Sequence, residues 1–282
     1  MSDELSARVR ADYSRARTKA FMNNIKAVLS GRSNTLLSFD AIKEKLHIGG
    51  PIYRGLLTVR IDQIVGSLDR YEQFDKAFLP KQDLTSDRWL RINHAFYDDI
   101  SLPPVVLYKV GNVYFVVDGH HRVSVARQQG QEFIDAEVRE CSTKIDIQPD
   151  LKLEDLEILH AKVHFLERTG LDRIRPKAKI KLTIPDGFSR MLEHIGVHRY
   201  FMGIDLQRDI SEGEAITHWF DTVYLPIVKV IRKSDILNDF PDKTEGDLYL
   251  WVLDHQRYLV EQEGQSLQPP DEAAKDYIED LM

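Results

Sequence analysis

Residues 105–138 constrain the fold more than any other stretch of the sequence. Val105 to Val110 and Val113 to Val117 are two runs rich in β-branched residues, joined by Gly111-Asn112, a two-residue pair suited to a hairpin. The second run stops at Asp118-Gly119. His120 to Gln129 then reads as a helix closed by Gly130, and Phe133 to Val138 as a further strand. Strand, tight turn, helix, strand commits this region to a sheet with a helix opening directly at a strand end. The first amides of a helix have no partners within it and carry the positive end of its dipole, so such a position favours an anion.

The side chains there suit the same chemistry. Gly119 lets a ligand come close to the backbone, and Arg122 is a forked, permanently charged donor matched to phosphate oxygens. His120 and His121 can donate hydrogen bonds or move a proton near neutral pH. Asp118 is placed to orient a histidine or to hold Mg²⁺. The alternative is a plain Asp-Gly turn followed by histidines that cap a helix. The strand before and the helix after favour the anion site.

At 282 residues the chain has room for one large domain or two ordinary ones of about 100–200 residues each. Leu5 to Leu29 has no proline or glycine and reads as one helix ended by Gly31. Ser38 is placed to cap a short second helix, Phe39 to Leu46, which stops at Gly49-Gly50-Pro51. Leu56 to Val65 reads as a single strand, followed by the turn Gly66-Ser67-Leu68-Asp69-Arg70-Tyr71. After about Asp146 the pattern becomes helical: Leu153 to Thr169, Phe188 to His194, Glu212 to Arg232 and Asp247 to Glu263. Pro226 predicts a kink or a break in the third of these. The end around Pro269-Pro270 reads as a loose tail or a docked short helix. The expectation is an α+β chain: a helical arm over 1–50, a small α/β domain over 51–145, and a mostly helical domain with an acidic tail over 146–282.

A net charge of -7 argues against a protein that coats nucleic acid over its whole surface. Arg8, Arg10, Arg15, Arg17, Lys19 and Lys26 make the first helix basic; such an arm could touch phosphates, but a solvated helix face packed on the body is the favoured reading. Cys141 is the only cysteine, so an internal disulfide is excluded. No run approaches the roughly 18 apolar residues of a membrane span, and the N-terminus lacks a signal-peptide pattern. A cytoplasmic setting is the expectation.

Tyr114-Phe115-Val116-Val117-Asp118-Gly119-His120-His121-Arg122-Val123-Ser124-Val125-Ala126 resembles the signature of the ParB/sulfiredoxin superfamily. Val59-Arg60-Ile61-Asp62-Gln63-Ile64-Val65-Gly66-Ser67 resembles its opening box, and Leu102-Pro103-Pro104-Val105-Val106 the strand between. Sulfiredoxins place a catalytic cysteine where His120 stands, so sulfinic-acid repair is not expected. Chromosome-partitioning members, which bind CTP and DNA, carry Gly-Glu-Arg-Arg; this chain keeps Gly119 and Arg122. The free-serine kinases of the superfamily carry Asp-Gly-His-His-Arg, which Asp118 to Arg122 reproduces. Their catalytic glutamate lies just after the opening box, where Asp69 is the nearest match here. The helical half resembles an uncharacterised domain of bacterial proteins, in His198-Arg199-Tyr200, Trp219-Phe220-Asp221 and Thr244-Glu245-Gly246-Asp247 among others.

The resemblance implies a bacterial protein that binds a nucleotide (ATP, ADP or CTP) with Mg²⁺, and a phosphotransferase acting on a small hydroxyl compound. Gly66, Ser67 and Asp118 to Arg122 would then hold phosphate, with Asp118 on the metal and Asp69 and His121 in catalysis. The competing expectation is a nucleotide-switched regulator or DNA-associated module without catalysis. Sequence-specific DNA binding and a membrane partner are not expected, and a homo-oligomer is compatible with the sequence. Weaker signals receive structural readings. His160/His164 and His194/His198 are spaced i, i+4 but lack a metalloprotease glutamate. Trp219, Phe220, Tyr224 and Trp251 read as core rather than a base-stacking platform. Arg173, Arg175, Lys177, Lys179 and Lys181 alternate with apolar residues and read as the exposed face of an edge strand or a phosphate-facing ribbon, with the edge favoured.

Overall fold

The computed structural model describes residues 2–31, 33–81, 86–151, 155–264 and 266–281. The chain divides into two compact units, Met1–Leu156 and Glu157–Met282. The first combines a six-stranded sheet with helices and the second is helical, so the α+β expectation is met. No helix among the described residues is long and apolar enough to cross a membrane.

The N-terminal unit opens with α1 (Ser2–Ser30). Val9, Asp12, Ala16 and Ala20 make its buried stripe, while Arg8, Arg10, Arg15, Lys19 and Lys26 face solvent as expected. The stripe lies on α3 (Ser86–Tyr97), where Tyr13 meets the Trp89 ring at 5.4 Å. Asp12 is a buried carboxylate among donors: Tyr97 Oη at 2.6 Å, with Asn93 Nδ2 and Gln129 Nε2 at 3.2 Å each. Burial alone would raise its pKa, but hydrogen bonds from Tyr97, Asn93, Arg15 and Gln129 together hold it below the ordinary carboxylate value.

The sheet runs β1 (Leu37–Ser38), β3 (Ile64–Ser67), β5 (Val113–Asp118), β4 (Val105–Val110), β6 (Phe133–Cys141), β2 (Pro51–Arg60). The hairpin expected at Gly111-Asn112 is present, with Val110 opposite Val113. Ser38 caps α2 (Phe39–Lys45) by accepting from Ala41 N. One expectation fails. Residues 56–65 are not a single strand but the end of β2, a 3-10 turn at Ile61–Gln63, and the start of β3. Arg127 holds that turn, donating from Nη2 to Ile61 O at 2.7 Å and Ile64 O at 2.6 Å, while Ile61 N donates to Glu132 O. The split sends β2 to the sheet edge beside β6 and β3 to the far side beside β5. Apolar residues on both sides of the turn hide the break from a reading by hydropathy.

The C-terminal unit packs α5 (Leu156–Thr169), α6 (Leu171–Ile174), α7 (Gly187–Leu206), α8 (Glu212–Trp219), α9 (Leu225–Ser234), α10 (Glu245–Glu263) and α11 (Pro270–Leu281) around one core. The expected start of α5 at Leu153 lies outside the described residues. A π-helical turn at Phe220–Tyr224 separates α8 from α9, and Pro226, the second residue of α9, has no N–H with which to continue the regular helix ladder there. Thr244 and Asp247 close a capping box on α10. Pro270 opens a docked helix and not a loose tail: Ala273, Ala274 and Ile278 are buried.

Two further corrections fall here. Residues 173–181 are not an edge strand; Arg173 and Ile174 end α6, and 175–181 run as an irregular strap past Pro176 with Ile180 buried. The helix expected to stop at His194 continues to Leu206, because burial of Phe188, Met191, Ile195 and Met202 outweighs the roughly 1 kcal/mol that a mid-helix glycine costs. Gly196 is exposed, and a Cβ there would meet nothing within 4 Å. Gly196→Ala is therefore expected to stabilise this unit by about 0.5–1 kcal/mol in urea unfolding, and a destabilised variant would contradict the assignment.

Candidate functional site

Strands β3 and β5 run parallel, so their C-terminal ends arrive together, carrying Ser67 and Asp118. From Asp118 the chain turns through Gly119 (φ 95°) into α4 (His120–Gln128). The turn is tight. A Cβ on Gly119 would lie 2.6 Å from Val105 Cγ1 and 3.0 Å from Arg122 Cζ. The first intrahelical bond visible at this end is Val123 N to Gly119 O at 3.0 Å, which leaves the amides of His120, His121 and Arg122 at the open end of the helix.

His120 and His121 are both buried, 4% exposed each. His120 Nε2 lies 2.7 Å from Ser67 Oγ, which also accepts from Arg70 N at 3.0 Å. With that amide already on the oxygen, the hydroxyl hydrogen is available to Nε2, and the arrangement suits a neutral ring. Phe74 covers the pair, stacked near His120 at 6.1 Å and edge-on to His121 at 5.3 Å. Burial pushes both pKa values down to about 4; the positive charges of Arg70 and Arg88 act in the same direction on each ring. At neutral pH the two histidines are therefore uncharged donors and acceptors. His121 Nδ1 is buried without a hydrogen-bond partner.

Arg122 and Asp118 are occupied with each other. Arg122 Nη2 donates to Asp118 Oδ2 at 2.6 Å, and Nη1 donates to Pro104 O at 2.7 Å and to Pro103 O. The Asp118 carboxylate thus orients the arginine and not a histidine. Among the described residues no group of three His, Cys, Asp or Glu side chains is placed to hold a metal ion. Gly66 is a packing glycine: a Cβ there would meet Leu37 O at 2.4 Å and the Phe115 ring at 2.5 Å. Asp69 is exposed in the loop after Ser67, two residues from the hydroxyl that bonds His120.

The structure gathers Ser67, Gly119, His120 and His121 at one sheet end, ties Arg122 and Asp118 beside them, and keeps Gly66 inside the sheet. Arg70 and Arg88 are charges that the sequence reading passed over. Arg70 follows Ser67 by one turn, a spacing that signals it once Ser67 is placed. Arg88 comes from α3, and no local pattern marks it. The second of the spaced histidine pairs has partners in the helical unit. His194 bonds the Tyr249 hydroxyl at 3.1 Å, and His198 Nε2 meets His218 Nδ1 at 2.8 Å across α7 and α8. Trp219, Phe220 and Tyr224 are core residues, and Trp251 packs partly buried against the same core.

No protein-family model matches the sequence, and no curated protein matches it. Among solved structures, a Pnob8-like ParB-N domain is similar to this chain at 11% sequence identity, covering 82% of this chain and 98% of that one, with a TM-score of 0.24.

Proposed function

We propose that the N-terminal unit is a ParB-like module that binds a nucleotide through its phosphates at the start of α4. The observation that carries this reading is the convergence on one helix end: the open amides after Gly119, the buried neutral histidines, and the nearby charges of Arg70 and Arg88. Neutral histidines donate to phosphate without the cost of burying two cations. A ligand oxygen that satisfied His121 Nδ1 would also relieve a buried polar atom, whose lack of a partner costs about 1–3 kcal/mol. Mg²⁺ would come with the nucleotide, held chiefly by phosphate oxygens, with Asp118 contributing only if Arg122 releases it.

Calorimetry with ATP, ADP and CTP, with and without Mg²⁺, tests the reading. At least one is expected to bind, and replacing both Arg70 and Arg88 by alanine is expected to weaken that binding about tenfold or more, since charge-assisted contacts are worth roughly 1.5–3 kcal/mol each. Binding unchanged in that variant would overturn the site.

Phosphoryl transfer to a small hydroxyl compound is the finer form of the proposal. The exposed carboxylate of Asp69 beside Ser67 favours it, because such transfer needs an acid near the acceptor and little else from the protein. Asp69→Asn is then expected to keep nucleotide affinity and lower turnover by roughly 10²–10⁴, measured on free serine and a panel of small alcohols. A nucleotide-switched regulator is the second reading, favoured by the ties of Arg122 to Pro103 and Pro104: a phosphate that drew Arg122 away would release that segment. Binding without transfer to any acceptor would decide for it.

A further inference from the structure

The C-terminal unit contains a cavity of about 440 Å³ between the strap after α6 and the π-helical turn. Ile174, Pro176, Phe220, Tyr224, Leu225 and Val228 form its apolar walls. The π-helical turn shapes the floor: it brings the Phe220 and Tyr224 rings together at 5.5 Å and 26°. Such turns interrupt the regular helix ladder and occur frequently at functional sites.

Four cations are among the lining residues, and three of them, Lys177, Lys179 and Arg232, are exposed and so stand on its solvent side; the fourth, Arg175, is half-buried. Two are already neutralised. Arg175 pairs with Asp221, and Arg232 makes a two-pronged pair with Glu245 at 2.6 and 2.7 Å. Lys177 and Lys179 are exposed and have no carboxylate partner among the described residues. They belong to the alternating basic run that reads as an edge strand in the sequence. The run is a strap instead, and it carries two unneutralised charges at the mouth of an apolar hole in a protein of net charge -7.

We propose that this cavity binds a small anionic amphiphile. Its apolar body, of about ten carbons, would lie against Phe220, Tyr224 and Val228, and a single carboxylate or phosphate head would be met by Lys177 and Lys179. The volume is within the usual range for small-molecule sites, about 300–1,000 Å³. An apolar interior with a few polar groups at one side is the arrangement that fixes the orientation of such a ligand. Neutral and cationic amphiphiles of the same length fit the walls but gain nothing at the mouth.

Calorimetry on the full chain with decanoate, decyl phosphate, decanol and decyltrimethylammonium tests this. At least one of the two anions is expected to bind one-to-one, about tenfold or more tighter than decanol, with the cation showing no saturable binding. Whichever anion binds identifies the head group. The double variant Lys177→Glu, Lys179→Glu is expected to weaken the anion about tenfold or more with unchanged melting temperature, because both side chains are exposed. Leu225→Trp fills the cavity and is expected to abolish binding; if it fails to fold, the lysine variant decides alone. Replacing Arg70 and Arg88 by alanine is expected to leave this binding intact, which separates it from nucleotide binding in the other unit. No saturable anion binding, equal binding of the cation, or an unaffected lysine variant would each overturn the proposal.

Discussion

Lowering the pH from 6.5 towards 4 is expected to cost the N-terminal unit roughly 3 kcal/mol of stability for each of His120 and His121. The sign follows from where the protons go. An unfolded histidine takes up a proton near its ordinary value of 6.5, whereas each folded ring does so only near 4. Above 6.5 neither state is protonated and the pair has no effect. Between 6.5 and 4 the unfolded chain gains protons that the folded chain refuses, so stability falls as the pH falls. Near 4 the folded rings begin to titrate and the loss levels off. Asp12 acts in a different window: its carboxyl is held below an ordinary value of 3.8, so its own contribution is lost only at lower pH. Denaturant unfolding at a series of pH values should show the slope in the wild type. His120→Gln and His121→Gln should each flatten it, even though each lowers the stability at pH 7.5. Parallel slopes in wild type and variants would mean that the rings are not buried neutral.

Gly119→Ala is expected to destabilise the same unit by about 2–6 kcal/mol and to remove ligand binding. Two effects add. A side chain at φ 95° is strained, at roughly 1–3 kcal/mol. The new Cβ also lands 2.6 Å from Val105 Cγ1 and 3.0 Å from Arg122, so the strand, the arginine or the helix start must shift, at about 1–3 kcal/mol. Gly130→Ala is the control: its φ is 76°, yet nothing lies within 4 Å, so only the strain is paid. Similar losses in the two variants would show that the close approach at Gly119 does not matter.

The elements that the sequence made legible are those whose own residues decide them. The β4–β5 hairpin follows from Gly111-Asn112 between β-branched runs, and α4 follows from a glycine at a strand end. The cap of α2 follows from Ser38, and the interruption before α9 from Pro226. What stayed hidden depends on partners distant in sequence. The chain turns at Ile61, within a stretch that reads as one strand, because Arg127 and Glu132 take its backbone groups. Gly196 stays helical only because neighbours bury the rest of α7. The motif Asp118 to Arg122 was visible as a unit, but its division of labour was not. Arg122, read as the phosphate clamp, spends its donors on Asp118 and two proline carbonyls. The positive charges that lower both histidines further, Arg70 and Arg88, come from the loop after β3 and from α3.

The pairing of β2 with β6 sets an order of assembly. The β4–β5 hairpin closes over two residues and can form as soon as Val113 follows Val110. Strand β6 then needs only to return across α4 to lie beside β4. Strand β2 must wait longest, since Pro51 pairs with Cys141 and Arg60 with Phe133. Closing so long a loop is entropically slow, and contacts distant in sequence are the late ones in small domains. On a ribosome, β2 is made before any of its partner exists. Until β6 exists, the backbone N–H and C=O groups of β2 that later pair with it have no partner strand, and this is the interval in which a holding chaperone has most to shield.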